Sequence, residues 1–443
     1  MVYIINAINV NNFIVYFNNN FVNTIFRDES FTIGLLRNTY GNIIRYDALD
    51  VHPPLYYLVL KFVTMPLQIL KLTPNQIIVS YRLFSLIMLV VGLVGMNKVA
   101  KLLAIKTNIW TYNLFLLAPS ILMYSNQIRM YQLAGTFIAW FIFMLLKYEQ
   151  TLRVRWFIGA ILLAEMGAYT HYFTALSCGL ILIGFIIFAQ INKQKQVVLE
   201  LTVGLISYIV MYIPWSFVAF KQVTSVTKAF WITPIASSQA LFNLTGGEQT
   251  VNAANIGMYM CIVLVIMQLF VFMVERWAVI SQILCLLLLA ILSLYGLGLI
   301  FMVLNHPILI ARYLYPLFFC YLFLLLALMT TKVNSSKVIL SMLFCGLIFQ
   351  NGQYMYLHTV AIAPNIVQIN DKPQTGIVKI TETIPADDTD HFLATVTKNP
   401  DQIFVINNQS IYNITGRYHL SELSEKVRPN LMSYAMYDNR FKD

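Results

Sequence analysis

Residues 156–190 read WFIGAILLAEMGAYTHYFTALSCGLILIGFIIFAQ, an apolar run of 35 residues with the polar pair Thr170-His171 near its middle. A single helix of this length would extend about 50 Å, well beyond the roughly 30 Å of hydrocarbon in a bilayer. Because neither Thr170 nor His171 suits the bilayer core, we expect a tight turn at this pair. The run therefore predicts two transmembrane helices.

The composition extends this interpretation to the whole chain. Of the 443 residues, 59% are hydrophobic and 11% are charged, and the mean hydropathy is +0.70. A soluble fold of this size could not hide so much apolar surface, so the composition indicates a polytopic membrane protein. The net charge of +10 comes from Lys and Arg in short loops and not from a contiguous basic stripe, which argues against nucleic-acid binding. The five cysteines lie in apolar runs without the spacing of a disulfide framework or metal site.

Ten apolar segments are long enough to be predicted as membrane spans. They lie near residues 78–99, 108–124, 130–147, 156–171, 173–191, 198–219, 255–274, 278–302, 309–331 and 337–357. Residues 1–20 are apolar but interrupted by asparagines, and they lack a basic n-region and a cleavage site. We interpret them as a weak first transmembrane helix, which brings the predicted total to about eleven.

The loop charges predict which side of the membrane each loop faces. Alternate loops carry the clusters around Lys98, Lys147, Lys193, Arg276 and Lys332, and by the positive-inside rule these loops are cytoplasmic. The other loops then face outward. They are residues 21–77, 124–130, 170–171, 220–254 and 303–308, together with the C-terminal tail.

The apolar segment Leu55–Leu72 resembles a span, but counting it as a crossing would place every later lysine cluster outside. We therefore expect a juxtamembrane helix here, with Pro53-Pro54 at its start. The predicted domains are a transmembrane domain over residues 1–357, with residues 21–77 as its first outer loop, and a small extracytoplasmic domain over residues 358–443. The second has soluble composition, with a helix-like stretch at 388–398 and a strand-like stretch at 402–406, and is expected to be α/β.

Charged and titratable side chains concentrate at the predicted outer ends of the spans. Only Glu165 lies well inside a span. Since charges are costly in hydrocarbon, residues near membrane depth are functional candidates, and these can converge on one outer-facing site. The set is Asp28, Glu29, Arg37, Arg45, Asp47, Asp50, His52, Arg82, Arg129, His171, His306 and Arg312.

Arg129 and Arg312 are the candidates for binding an anion. Each follows or begins a span and has a tyrosine nearby, Tyr131 and Tyr313, that can contact a sugar or head group. A guanidinium can hold a phosphate through two hydrogen bonds. The alternative is an arginine that extends to the membrane surface and anchors a helix end.

Asp28 and Glu29 are the candidates for catalysis. An aspartate can act as general base toward a hydroxyl, and a carboxylate pair can hold a divalent cation. The alternatives are a solvated pair or a helix cap. His52 and His171 are candidate phosphate donors or metal ligands, or else structural histidines. The metal candidates are thus Asp28, His52 and His171, and a divalent metal ion is the one cofactor considered.

Several motifs occur in an order that resembles the GT-C glycosyltransferases, in particular the bacterial relatives of protein O-mannosyltransferases and aminoarabinose transferases. They are the Asp28-Glu29 pair, HPPLYYLVLKF from His52, RLFS from Arg82, YSNQIRMYQLA from Tyr124, THYF from Thr170 and ARYLYP from Ala311. The resemblance covers residues 20–330 and does not extend to the tail.

This resemblance implies transfer of a sugar from a polyprenyl-phosphate carrier to an envelope glycan, lipid or protein on the outer face of the cell membrane, with inversion at the anomeric carbon. It implies a catalytic role for Asp28 and Glu29. It implies that Arg129 and Arg312 bind the donor phosphate and that His52 contacts the phosphate or a metal. We assign Tyr131 and Tyr313 to the same site from their positions beside the arginines, and His171, Arg82 and Asp50 are candidates for an additional site. Two other classes stay open. A transporter or flippase would carry polar groups near the midplane, where this chain has few, and a non-catalytic protein could bind the same carrier.

Overall fold

The structure is a computed structural model. It describes residues 27–36, 38–48, 51–70, 72, 74–226, 232–246, 253–274, 278–332, 337–356, 376–380, 402–406 and 431–433. The predicted first helix over residues 1–20 lies outside these ranges.

The first outer loop folds into short helices. They are α1 (Arg27–Leu36), α2 (Tyr40–Asp47) and α3 (Leu55–Thr64), and α3 continues into a 3₁₀ helix (Met65–Leu70). At 1.5 Å per residue the 10-residue α3 is about 15 Å long, half of what a bilayer crossing requires. The six residues of the 3₁₀ helix add about 12 Å at 2.0 Å per residue, so the prediction of a juxtamembrane helix that does not cross stays a prediction.

Twelve further helices follow in the described part of the chain. They are α4 (Pro74–Leu102), α5 (Ile109–Leu116), α6 (Pro119–Tyr124), α7 (Tyr131–Thr151), α8 (Val154–Ala168), α9 (Tyr172–Ile191), α10 (Lys195–Val226), α11 (Pro234–Gly246), α12 (Ala253–Val274), α13 (Val279–Val303), α14 (Ala311–Lys332) and α15 (Lys337–Tyr356). Among the described residues, 7 helices are long and apolar enough to cross a membrane, namely α4, α7, α9, α10, α12, α13 and α14. The chain is a multi-pass membrane protein, but this number does not reproduce the predicted eleven spans.

One predicted span is broken. The segment 108–124 forms two short helices, α5 and α6, of 8 and 6 residues. Asn108 caps α5 by accepting a hydrogen bond from the Thr111 backbone N–H at 3.0 Å. Pro119 then begins α6, because proline has no N–H to continue a helix and its fixed φ suits a first turn. The apolar run therefore turns where a single helix was predicted.

Helix α11 lies within the segment 220–254, which was predicted only as an outer loop. It packs along α12, where the Thr245 hydroxyl donates to the Gly257 carbonyl at 2.9 Å. The missing side chain of Gly257 permits this contact, since a Cβ at this position would lie 2.0 Å from the Phe242 carbonyl oxygen. The two helices form a hairpin with closely approaching backbones.

The two most buried spans, α7 and α14, bring two candidate site residues together. Helix α7 packs against α4, α8 and α14, and both α7 and α14 are buried along most of their length. Helix α7 begins at Tyr131, two residues after Arg129, and α14 begins at Ala311, with Arg312 as its second residue. Because α7 and α14 pack together, their N-terminal ends bring both arginines to one end of the bundle.

Three short strands are described in the tail. They are β1 (Gly376–Ile380), β2 (Gln402–Ile406) and β3 (Leu431–Ser433), and they form a parallel sheet in the order β1-β2-β3. Strand β2 coincides with the predicted strand at residues 402–406. The predicted helix at 388–398 lies outside the described residues, so an α/β tail and its boundary at residue 358 stay predictions.

Candidate functional site

The predicted carboxylates lie in the first turn of α1, where the helix N-terminus favours negative charge. Successive residues of a helix point about 100° apart, so the two side chains take different directions. Asp28 remains partly exposed and reaches toward α14, whereas Glu29 points into the protein toward α4. The adjacent acidic pair thus has two separate environments.

Glu29 lies in a fully enclosed ion pair. Its Oε2 accepts a hydrogen bond from Arg82 Nη2 at 2.9 Å, and its Oε1 accepts one from the Ile128 backbone N–H at 2.8 Å. Both side chains are 1% exposed. Through these bonds the carboxylate joins α1, α4 and the turn that precedes α7. Both of its oxygens are occupied by the protein, so the geometry gives Glu29 the position of a structural link.

Asp28 pairs with an arginine that was predicted to bind the donor phosphate. Its Oδ2 lies 3.0 Å from Arg312 Nη1, with the Arg312 and Asp28 side chains 17% and 26% exposed. The Arg312 guanidinium also lies 6.0 Å from the centre of the Tyr131 ring, within range of a cation–π interaction. The predicted base and one predicted phosphate ligand are therefore in direct contact.

Arg129 lies beside the same carboxylate but is held by other groups. Its Nη1 donates to the Asp28 main-chain carbonyl at 3.2 Å, to the Thr32 hydroxyl at 3.2 Å and to the Tyr57 hydroxyl at 3.3 Å. The side chain is 4% exposed, so it does not extend to water as a surface anchor would. Arg129 connects the first outer loop to the start of α7 and adds a second positive charge to the site.

Two histidines and two tyrosines form the wall beside these arginines. The His52 and His171 rings are stacked with centroids 5.9 Å apart. The His171 ring lies 5.1 Å from that of Tyr313 and 5.7 Å from that of Tyr131. His171 Nδ1 is buried without a hydrogen-bond partner among the described groups. This wall is aromatic, and the His171 Nδ1 and the Tyr131 hydroxyl within it are enclosed by the protein.

Both imidazoles are neutral at physiological pH. Burial and the positive charge of Arg129 lower the pKa of His52 well below its ordinary value, and His171 and Arg312 act in the same direction. Burial, Arg129 and Arg312 lower the pKa of His171 from 6.5 to about 3. A neutral imidazole offers one donor and one acceptor nitrogen. The positive charge of the described site therefore resides on its guanidinium groups.

A main-chain hydrogen bond attaches the first outer loop to the bundle. The Leu55 N–H, at the start of α3, donates to the Tyr169 carbonyl at the end of α8 at 3.0 Å. This bond fixes His52, three residues before Leu55, close to His171, two residues after Tyr169. The Thr170-His171 turn, predicted as the break between two spans, is present between α8 and α9.

The structure gathers most of the predicted site residues. Seven lie together at the N-terminal ends of α7 and α14, namely Asp28, His52, Arg129, Tyr131, His171, Arg312 and Tyr313. Glu29 and Arg82 instead face one another in the enclosed pair, and Asp50 lies outside the described residues. Thr32 and Tyr57 were not predicted. A signal for each existed, because Thr32 lies one helical turn after Asp28 and Tyr57 belongs to the HPPLYY motif.

The predicted metal ligands are not assembled as a metal site. Within the described ranges, no three His, Cys, Asp or Glu side chains lie close enough to hold a metal ion. The rings of His52 and His171 are neighbours, but the Asp28 carboxylate pairs with Arg312. Asp28, His52 and His171 were each candidates for a metal ligand, and binding of a divalent ion by any of them stays a prediction.

No family model matches the sequence, and no curated protein matches it. Solved structures do match the arrangement of its helices. The crystal structure of ArnT from Cupriavidus metallidurans in the apo state gives a TM-score of 0.53 at 11% sequence identity, covering 96% of this chain and 88% of that one. The fold is similar to that of ArnT.

A second ArnT structure from the same organism, bound to undecaprenyl phosphate, matches at a TM-score of 0.51 and 10% identity. It covers 97% of this chain and 89% of the ArnT chain. The arrangement of helices therefore agrees with the fold that the sequence motifs predicted. At this identity the likeness to ArnT concerns the fold, and the activity has to be argued from the site.

Proposed function

We propose that this protein is a glycosyltransferase that takes a sugar from a polyprenyl-phosphate carrier and transfers it to an acceptor of the cell envelope. The single observation that carries the proposal is the contact of Asp28 with both Arg312 and Arg129 at the buried end of α7 and α14. A carboxylate paired with one guanidinium, with a second guanidinium bound to the main-chain carbonyl of the same residue, suits a reaction that removes a proton and releases a phosphate. The ArnT-like fold and the bound lipid of one ArnT structure support the same class.

In the proposed reaction, the acceptor hydroxyl oxygen forms a bond to the anomeric carbon while the bond from that carbon to the phosphate oxygen breaks. Asp28 accepts the hydroxyl proton as general base. The electron pair of the broken bond leaves with polyprenyl phosphate, whose added negative charge Arg129 and Arg312 stabilise. Attack from the face opposite the leaving phosphate would invert the configuration at the anomeric carbon.

The remaining site residues have supporting roles in this proposal. His52 and His171 are neutral and can donate hydrogen bonds to phosphate oxygens without adding charge. Tyr313, which is partly exposed, presents aromatic surface on which a sugar ring can lie, and the buried Tyr131 ring supports Arg312. Glu29 and Arg82 position Asp28 by fixing the first turn of α1, so we propose a positioning role for Glu29 in place of the predicted catalytic one.

The positive-inside rule, applied to the loop charges, supports a site on the outer face of the cell membrane, where the carrier phosphate would lie at the head-group level. The carrier's hydrocarbon chain would then remain in the bilayer beside the spans while its phosphate enters between the ends of α7 and α14. Envelope glycans, lipids and proteins on that side all carry hydroxyl groups that can serve as the acceptor.

The decisive experiment measures release of polyprenyl phosphate from a sugar-loaded carrier. Purified protein in nanodiscs would be incubated with polyprenyl-phosphate sugars and envelope fractions, and products would be identified by mass spectrometry. We expect carrier release together with a glycosylated acceptor. Movement of intact carrier across the bilayer would instead indicate a flippase, and binding without release would indicate a non-catalytic carrier-binding protein.

A further inference from the structure

The two acidic residues of α1 differ in a way that the proposed reaction does not require. Glu29 and Arg82 form a closed pair, with each side chain almost fully enclosed. Asp28 and Arg312 form an open pair, because both side chains retain contact with the exterior. An enclosed ion pair is strongly disfavoured when one partner is removed, whereas a partly exposed pair is exchanged at little cost. The open pair can therefore change partners when a ligand arrives.

Arg312 contacts two groups of different kinds, a carboxylate and an aromatic ring. It contacts the Asp28 carboxylate at 3.0 Å and lies over the Tyr131 ring, which faces the histidine wall of the site. A guanidinium that leaves the carboxylate can remain over this ring. Arg129 is different, because its contacts include a main-chain carbonyl and two hydroxyl groups, which are neutral acceptors. An entering phosphate need not displace a charged partner at those contacts.

A guanidinium beside a carboxylate stabilises its ionised form and makes it a weaker acceptor of protons. The pairing with Arg312 therefore opposes the role of general base that the proposed function gives to Asp28. A phosphate is a stronger partner for arginine than a single carboxylate oxygen, because it offers more negative charge and two oxygens in matching geometry. Binding of the carrier thus has the chemistry needed to separate the pair.

From these contacts we infer that Arg312 exchanges Asp28 for the carrier phosphate, so that donor binding releases the base. This inference rests on the proposed function and adds an order to it. The carrier binds first and draws Arg312 from the carboxylate, and only then can Asp28 accept the proton of an acceptor hydroxyl. Arg129 and the neutral histidines bind the phosphate throughout. Their contacts with the phosphate do not free the Asp28 carboxylate.

Binding of undecaprenyl phosphate without a sugar tests the exchange independently of any turnover. In the original protein, phosphate and carboxylate compete for Arg312, so Asp28→Asn should increase affinity for the lipid about fivefold, the scale of a partly exposed ion pair. In an Arg312→Gln background the competition is absent. There, Asp28→Asn should increase the affinity for the lipid only by the smaller amount that comes from removing a negative charge near the phosphate.

Affinity would be measured by native mass spectrometry and by fluorescence quenching in nanodiscs, with Glu149→Gln as a charge-matched control far from the site. An Arg312→Lys background covers the case in which Arg312→Gln folds poorly, because the retained charge should preserve the gain from Asp28→Asn. Equal gains in the original and Arg312→Gln backgrounds, or no gain in either, would overturn the exchange alone. Failure of the original protein to bind the lipid would overturn the proposed function as well.

Discussion

The Glu29 carboxylate and the Arg82 guanidinium lie 2.9 Å apart in an ion pair from which solvent is excluded. They come from α1 and α4, two elements that are separated in sequence by the rest of the first outer loop. A third partner, the Ile128 backbone N–H, brings in the turn that carries Arg129. This one carboxylate therefore sets the relative position of three chain segments around the site.

Removing one partner of this pair should destabilise the protein more than replacing both. Arg82→Met leaves the Glu29 carboxylate desolvated and without its cation, which costs about 3–5 kcal/mol for buried pairs. The double variant Arg82→Met with Glu29→Gln keeps an acceptor for Ile128 and should regain much of that loss. Thermal unfolding in detergent measures both. Equal losses in the single and double variants would show that the pair contributes no such coupling.

Asp28→Asn should abolish sugar transfer while preserving expression and membrane insertion. An amide cannot accept the hydroxyl proton, and loss of a general base typically lowers the rate by about 10²–10⁴-fold. The assay is release of polyprenyl phosphate under saturating donor. Glu149→Gln, the same type of change at the other end of α7, should keep full activity. Transfer at the original rate by Asp28→Asn would remove Asp28 from the mechanism.

Substitutions at Arg129 should act on donor binding. Arg129→Lys retains the charge but loses the planar set of donors that reaches Asp28, Thr32 and Tyr57. We expect KM for the carrier lipid to rise about tenfold or more, because hydrogen bonds to charged groups contribute about 1.5–3 kcal/mol. Tyr57→Phe removes one longer contact and should raise KM only a few-fold. A fall in kcat at unchanged KM would contradict this assignment.

Stability should decrease below neutral pH because of the buried histidines. The pKa of His171 is about 3 in the folded protein against an ordinary value of 6.5, so the unfolded chain binds a proton in this window and the folded one does not. Unfolding free energy should thus fall as pH drops from about 6.5 toward 3, by up to about 1.4 kcal/mol per pH unit for each such imidazole. Melting temperatures between pH 7.5 and 5 measure this dependence. His171→Asn, which cannot titrate, should flatten it.

The α11–α12 hairpin offers a paired test of packing. In Gly257→Ala the new methyl group would overlap the Phe242 carbonyl, which is backbone and cannot rotate away. We expect a loss of several kcal/mol, on the scale of overpacking in a rigid core. Gly296→Ala in α13 meets nothing within 4 Å and should be neutral or slightly stabilising, since alanine favours helices. Comparable melting temperatures for the two variants would contradict the close approach.

Hydropathy was sufficient to locate the long helices and the Thr170-His171 turn, because an apolar run that exceeds the bilayer thickness has to break at its polar residues. It did not locate the break at Pro119, because residues 108–124 have the length and apolar content of one crossing. It also missed α11, whose sequence PIASSQALFNLTG mixes polar and apolar residues. That helix is stabilised by packing against α12, which no local pattern encodes.

The proximity of Asp28, Arg129 and Arg312 could be predicted because hydrocarbon excludes charge, which leaves the ends of the spans for these residues. The pairing within the site could not. Adjacent acidic residues are equivalent in sequence, and only the rotation of α1 directs Glu29 toward Arg82 and Asp28 toward Arg312.

The bond between the Leu55 N–H and the Tyr169 carbonyl uses main-chain atoms only. The bond does not require particular side chains around it. Substitutions can therefore accumulate on both sides of the junction while the first outer loop stays in position. Selection can then act on the few residues that meet substrate, with the frame around them maintained at no cost in sequence. A junction of this kind tolerates sequence change around it. It therefore permits the donor and acceptor of the proposed reaction to differ among proteins with this fold.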